Sequence, residues 1–576
     1  MKGPSHFEAK RIFNKKGAMK NKFIPALILL IVCVNGIFAQ RKLGIKPTDT
    51  GGPLMHEQAC YDVKWYDLDI EVFPEKQSIQ GKLILNAAIV QPTEFIVLDL
   101  DTMLSIDSVY ALTPGQRLTF SRRGWKVWIA LGTTHQPGRS VTVTVAYSGK
   151  PRTAQRPPWV GGFVWSKTAD GQPWIGVACQ NDGADVWWPC KDHPSDEPDS
   201  VRIHVTVPQS LTCASNGRLR GVTQNSAGTH TFHWFVSTPI NNYGLSINIA
   251  PYKTIEASYT SVSGGIIPVT YWVLPENYEK GKILFTQIID HLRFHEELLG
   301  PYPFRADKYG VAETPYLGME HQTVIAYGNN YKNNDWGFDF LHHHELSHEW
   351  WGNLVTAVDW TDIWLHEGFG AYMQQLYIEK LHGAKAYHQS MSVSRPKIRN
   401  AKPVAERRAR SLAESYLVAP DYVESDGDNY NKGTWILQSL RYLIGDKDFM
   451  KSLRRMTYPD PASERITDGR QCRFASTDDY LATVEFITGK DLDWFFEVYL
   501  RQPVLPKLIS KTVNNKLSLV WETPGGLPFP MPVTVQIGNE LKRIEMPNGR
   551  AEIEIPQNVK PVIDPEQWLL MDVVNQ

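Results

Sequence analysis

His344-Glu345-Leu346-Ser347-His348 is the stretch of this 576-residue chain whose residue types and spacing can do chemistry. Two histidines four apart lie on one face of a helix, about one turn and roughly 6 Å apart along its axis. Both imidazoles can then reach a single tetrahedral Zn²⁺ at about 2.0–2.1 Å. Glu345 is turned about 100° from His344 by the helical period. It flanks such a metal without binding it, where a general base for an activated water belongs. A catalytic zinc takes a third protein ligand and keeps one position open. The candidate is Glu367, with eighteen residues between it and His348. Gly352-Asn353 offers a helix stop, and from Asp362 a second helix is expected, with Ile363, Phe369, Tyr372, Met373 and Leu376 as its apolar positions. Packed antiparallel on the first, that helix would return Glu367 to the metal. An isolated HExxH also arises by chance on ordinary helices, and His342 and His343, which start no such pattern, read as packing histidines.

The rest of the chain must supply the elements that position these groups. At 576 residues it is long enough for several cores. With 60 basic against 61 acidic residues it has no electrostatic footprint for nucleic acid. A basic Met19-Lys20-Asn21-Lys22, an apolar Phe23 to Val34 and a small residue at Ala39 read as a signal peptide over 1–39, with an upstream extension before Met19. The apolar run is short for a span of about 20 residues, so no stable membrane span is expected after cleavage. An uncleaved, membrane-anchored form is the alternative. Five cysteines remain beyond Cys33, so at least one is expected to be unpaired or shared between chains.

Residues 40–55 read as a linker. Over 56–255 the pattern is that of an antiparallel β domain: Tyr66, Leu68, Ile70 and Val72 alternate with charged residues, as do the valines of 141–145 and 201–207 with polar ones. The period changes near Lys282, where Leu284, Ile288, Leu292, His295 and Leu299 fall at helical spacing before Gly300-Pro301. The region 256–502 is therefore expected to be mainly helical, including Trp435 to Leu443 and Leu492 to Leu500. Alternation returns at Leu517, Leu519, Trp521 and at Val533, Val535, Ile537, so 503–576 reads as a small β-sandwich. The fold class is multidomain α+β. Oligomeric state is not legible.

His344, Glu345, His348 and Glu367, in the setting Leu365-His366-Glu367-Gly368-Phe369-Gly370, resemble the gluzincin zinc aminopeptidases, the family of alanyl aminopeptidase and leukotriene hydrolase. His366 and Gly370 stand where that family has Asn and Ala; Leu354 excludes the metzincin pattern. The resemblance implies a thermolysin-like catalytic domain, one zinc per chain and peptide substrates with a free N-terminus. It covers most of the chain after about residue 56, and the sequence reads as a short form without the C-terminal helical domain of many members.

The stretch Leu317-Gly318-Met319-Glu320-His321 is similar to the family's Gly-x-Met-Glu-Asn loop. The resemblance makes Glu320 the anchor for the substrate α-ammonium and Gly318-Met319 an exposed strand for the peptide; by spacing alone Glu320 is a solvated loop glutamate. Gln180, before Pro189-Cys190-Lys191-Asp192-His193-Pro194, corresponds to a second amine-binding residue, with Asn181 and Asp182 as rivals. Asp192, His193 and Glu197 read as loop-structuring groups. Tyr430, in Tyr430-Asn431-Lys432-Gly433, resembles the family's Tyr-Glu-Lys-Gly tyrosine, a hydrogen-bond donor to the oxyanion. Spacing alone makes it one of 24 tyrosines, and Tyr416 and Tyr422 are the runners-up. The reading is a zinc aminopeptidase. A zinc endopeptidase with the same metal centre, or a non-catalytic scaffold of the same fold, are the alternatives.

Overall fold

A computed structural model describes residues 48–111, 115–417 and 426–575. The leader over 1–39, the first part of the linker and Tyr422 lie outside the described residues.

The first long strand, Tyr61–Phe73, buries its alternate residues: Tyr66, Leu68, Ile70 and Val72 are each at most 2% exposed. It sits within a seven-stranded sheet between Ser78–Ile89, which pairs with it antiparallel, and Ser200–Pro208, which pairs with it parallel. The antiparallel expectation needs that correction. Parallel neighbours require a long crossover, and here the intervening chain makes further strands before Ser200. A four-stranded sheet, in the order Thr212–Ser215, Ile247–Ala250, Pro173–Ala178 and Gly162–Lys167, contributes to the same apolar core. Trp187 and Trp188, from the loop between Pro173–Ala178 and Ser200–Pro208, are completely buried there.

The β domain gives way to a new sheet between Ala250 and Lys253. Five strands run in the order Lys253–Thr260, Ile266–Val273, Tyr309–Glu313, Ile325–Tyr327 and Gly318–Met319. The central region is thus helical around a mixed sheet, a layer the sequence does not announce. Two of its inner strands, Tyr309–Glu313 and Ile325–Tyr327, are short and buried at every position, so no alternation marks them. The helix Tyr278–Leu299 packs Leu284, Ile288, Leu292, His295 and Leu299 inward and ends at Gly300. The helices Phe340–Ser347, Trp364–His382, Ala384–Ser394, Leu412–Ser415, Asp428–Ile444, Asp446–Thr457, Thr477–Thr488 and Asp493–Tyr499 also belong to this part.

The last 70 or so residues form a four-stranded sheet (Arg550–Glu554, Lys516–Glu522, Lys507–Val513, Asp572–Asn575) and a three-stranded one (Glu540–Ile544, Val533–Ile537, Val562–Ile563). Leu508, Leu519, Met531 and Leu570 share one continuous core with the helices. Cys60, Cys179, Cys190, Cys213 and Cys472 are all free thiols. Among the described residues no helix is long and apolar enough to cross a membrane.

One buried acid ties the returning helix to its neighbours. Asp362 accepts a hydrogen bond from Thr477 Oγ1 at 2.5 Å, and the same hydroxyl accepts from Trp364 Nε1 at 2.8 Å. Burial raises the Asp362 carboxyl from 3.8 to about 6, against the opposing hydrogen bonds. Because the folded value is the higher one, its stabilising contribution is complete below 3.8 and is lost as pH rises through about 6. Asp362→Asn should therefore gain stability relative to the parent as pH rises from 3.8 to above 6, read from melting temperatures across that range.

Candidate active site

The helix Phe340–Ser347 starts from an Asp339 cap whose carboxylate accepts from His342 N at 3.0 Å. It is shorter than the Gly352-Asn353 stop suggests. The chain leaves α-helix after Ser347 but keeps helical dihedrals at His348, at φ −67° and ψ −16°. That is enough to leave the two imidazoles on one side, with His344 Nε2 and His348 Nε2 3.2 Å apart. His348 Nδ1 lies 2.8 Å from Trp351 O. A ring nitrogen that donates to a carbonyl carries the proton, so the other, Nε2, keeps its lone pair for a metal.

The returning chain passes through Trp360–Asp362, where Asp359 accepts from Thr361 N at 2.8 Å, into the helix Trp364–His382. Glu367 sits in its first turn. Its Oε2 lies 3.4 Å from His344 Nε2 and 3.5 Å from His348 Nε2, and has no hydrogen-bond donor of its own. The three donor atoms make a triangle with edges of 3.2, 3.4 and 3.5 Å. Ligand atoms around a tetrahedral zinc at about 2.0–2.1 Å are about 3.3–3.4 Å apart. The donor set and its spacing fit such an ion.

The electrostatics ask for a cation at the same place. Glu320, Glu345 and Glu367 are 4%, 7% and 2% exposed. Burial pushes the Glu345 carboxyl well above the usual range, and the charge of Glu320 adds to it. Burial opposes charge on Glu367 too, but the adjacent His344 and His348 rings hold it well below the usual range. Burial would lower His348; the Glu367, Glu320 and Glu345 carboxylates around it outweigh that and push the ring up to about 10, a proton that a metal at Nε2 would displace.

Tyr430 comes from the first turn of Asp428–Ile444. That helix crosses Trp364–His382 at two glycines: a Cβ on Gly368 would lie 3.2 Å from Gly433 Cα, and one on Gly433 3.0 Å from Gly368 Cα. The close crossing sets the Tyr430 ring 5.9 Å from that of His344. Tyr416 is there as well. Its hydroxyl donates to Glu367 Oε1 at 2.7 Å and lies 3.3 Å from Tyr430 Oη.

On the other side, Gly318–Met319 is the edge strand of the five-stranded sheet, and among the described residues it pairs with Ile325–Tyr327 alone. A Cβ on Gly318 would lie 2.7 Å from Glu345 Oε1, so glycine lets the strand run directly against that carboxyl. Gln180 Nε2 donates to Glu320 Oε1 at 2.5 Å and stands 3.4 Å from Glu367 Oε1. Of its rivals, Asn181 donates to Trp159 O, and Asp182 accepts from Gly161 N and Arg152. Tyr243, absent from the sequence reading, donates to Glu320 Oε1 at 3.2 Å. Nothing local marks Tyr243: it lies 77 residues before Glu320. Gln180, Gly318, Met319, Glu320, His344, Glu345, His348, Glu367 and Tyr430 all line one open cleft of about 880 Å³.

The remaining candidates are engaged elsewhere. His342 bonds to Tyr309 Oη and His291 Nδ1, and His343 packs among His291, His295, Phe338 and Tyr377. His366 Nε2 accepts from Ala357 N at 2.9 Å. Asp192 accepts from Ala184 N, His193 contacts Gly52 O and Ser195 Oγ, and Glu197 accepts from Thr356 Oγ1.

Sequence and structure comparisons agree with this architecture. Residues 292–499 match the peptidase family M1 domain and residues 63–243 the peptidase M1 N-terminal domain. The chain belongs to the M1 peptidase family. Leucine aminopeptidase 2 of Vanderwaltozyma polyspora is 26% identical over 385 residues, covering 63% of this chain and 54% of that protein. Tricorn protease-interacting factor F2 of Thermoplasma acidophilum is 24% identical over 421 residues, covering 68% and 49%. The chain thus spans about half the length of these curated relatives. A crystal structure of an M1 zinc metallopeptidase variant from Deinococcus radiodurans, bound to a Tyr-Ser-Ala substrate, superposes with a TM-score of 0.63 at 23% identity, covering 80% of this chain and 98% of that one. At that identity the likeness is one of fold.

Full-length protein reloaded after chelation should hold one zinc per chain by atomic absorption, and His348→Ala close to none. Chelator should lower the melting temperature of the parent, because an ion that binds only the folded state stabilises it, and should leave His348→Ala unchanged.

Proposed function

We propose that this chain is an exported zinc aminopeptidase that removes the N-terminal residue of peptides. The observation that carries the reading is the position of Glu320. Its carboxyl collects Gln180 and Tyr243 beside the His344–His348–Glu367 triangle, at the end of a free strand edge. A buried carboxyl there suits an α-ammonium, and the edge suits an extended peptide paired by β-addition along Gly318–Met319. Held at both features, the substrate presents its first peptide bond, which sets exopeptidase register.

When bound by His344, His348 and Glu367, zinc supplies Lewis-acid chemistry, polarising a carbonyl and acidifying a water. Glu345 takes the proton from the attacking water and delivers it to the leaving nitrogen. Its reach is set by Gly318, whose missing side chain leaves the carboxyl room against the strand. Tyr430 donates to the oxyanion. Burial, with the charge of Glu367, holds its phenol well above 10, so it stays a donor through the physiological range. The basic and apolar stretch from Met19 to Ala39 supports export.

Glu345→Gln should keep its zinc and lose about 10²–10⁴ in kcat, measured with an aminoacyl chromogenic substrate alongside metal content. Turnover near the parent level would refute the base assignment. An N-acetylated peptide should resist cleavage that its free counterpart undergoes; equal rates would favour an endopeptidase. N-terminal sequencing of exported protein should begin at Gln40.

A further inference from the structure

Tyr416 takes no part in the proposed reaction, yet it is built into the site from both sides. The segment before it is fixed by a capping box, with Ser411 Oγ accepting from Glu414 N and the Glu414 carboxylate accepting from Ser411 N. Ser415 Oγ donates to Trp360 O at 2.7 Å, and Asn429 Nδ2 donates to Ser415 O at 2.9 Å. Asp426 N donates to Tyr416 O at 2.5 Å. The ring is 5% exposed.

A phenol has a single proton to give. Tyr416 gives it to Glu367 Oε1 at 2.7 Å, so the 3.3 Å contact with Tyr430 runs the other way, with Tyr430 donating until an oxyanion takes that proton instead. The chain of hydrogen bonds is Tyr430 to Tyr416 to Glu367 Oε1, and Oε2 is the oxygen left to face both imidazoles. Among the described residues the other donor at Oε1 is Gln180 Nε2 at 3.4 Å, a weak contact by geometry.

We propose that Tyr416 is a positioning residue for the metal site. It occupies one oxygen of Glu367 so that the carboxylate binds through the other alone and a coordination position stays open. This rests on the zinc reading of the triangle. Partners that orient a ligating group typically contribute about 10–100-fold in metal affinity. An unoccupied Oε1 would let the carboxylate turn and close on the metal with both oxygens.

The test is zinc affinity of the full chain, measured by competition with a chromophoric chelator for the parent, Tyr416→Phe and Tyr430→Phe. Tyr416→Phe should weaken zinc about 10–100-fold, while Tyr430→Phe keeps the parent affinity. Cobalt-loaded Tyr416→Phe should show weaker visible absorption than the parent, as coordination rises from four to five. The metal-free melting temperatures of parent and Tyr416→Phe should coincide. Equal zinc affinity and an unchanged cobalt spectrum in Tyr416→Phe would overturn the proposal while leaving the metal site standing. A metal-free Tyr416→Phe that melts far below the parent would make Tyr416 a packing residue and overturn it too. If the parent takes up no zinc, the metal reading and the role of Tyr416 both fall.

Discussion

Three buried carboxyls and two imidazoles converge on one point, and the site cannot be understood without a positive charge there. Glu320, Glu345 and Glu367 sit together with little exposure, and buried carboxylates are costly unless a cation or donors compensate them. These carboxylates push the His348 ring up to about 10. The triangle of donor atoms has the spacing of ligands around a small divalent ion.

The architecture serves that convergence. The groups arrive on separate elements: the His344 and His348 rings at the end of one short helix, Glu367 on the helix after it, the Tyr430 phenol on a third, Glu320 beside a sheet edge, and Gln180 from the N-terminal β domain. Small residues set the closest approaches. Gly368 and Gly433 let two helices touch backbone to backbone, and Gly318 lets a strand run against Glu345. Hydrogen bonds then fix orientation, from the His348 ring to Trp351 O and from Tyr416 to Glu367.

The N-terminal β domain is therefore part of the site. Gln180 and Tyr243 both reach Glu320 from it, while Glu197 accepts from Thr356 in the strand Val355–Ala357 that leads toward Glu367.

What the sequence by itself determined was local and periodic. The HExxH spacing, the distance to Glu367, the alternation of Tyr66 to Val72 and the helical spacing of Leu284 to Leu299 each follow from geometry repeated along the chain. Resemblance to a family pointed to Gln180, Glu320 and Tyr430, which spacing alone left among many equivalents. Tertiary structure alone decided the rest. The inner strands Tyr309–Glu313 and Ile325–Tyr327 were hidden because strands buried on both faces carry no alternation. The parallel pairing of Tyr61–Phe73 with Ser200–Pro208 joins residues more than 130 positions apart. Tyr243 and Tyr416 acquire their roles from partners 77 and 49 residues away. A hydrogen bond to one carboxylate oxygen depends on how three packed elements meet, and no periodicity along the chain encodes that meeting.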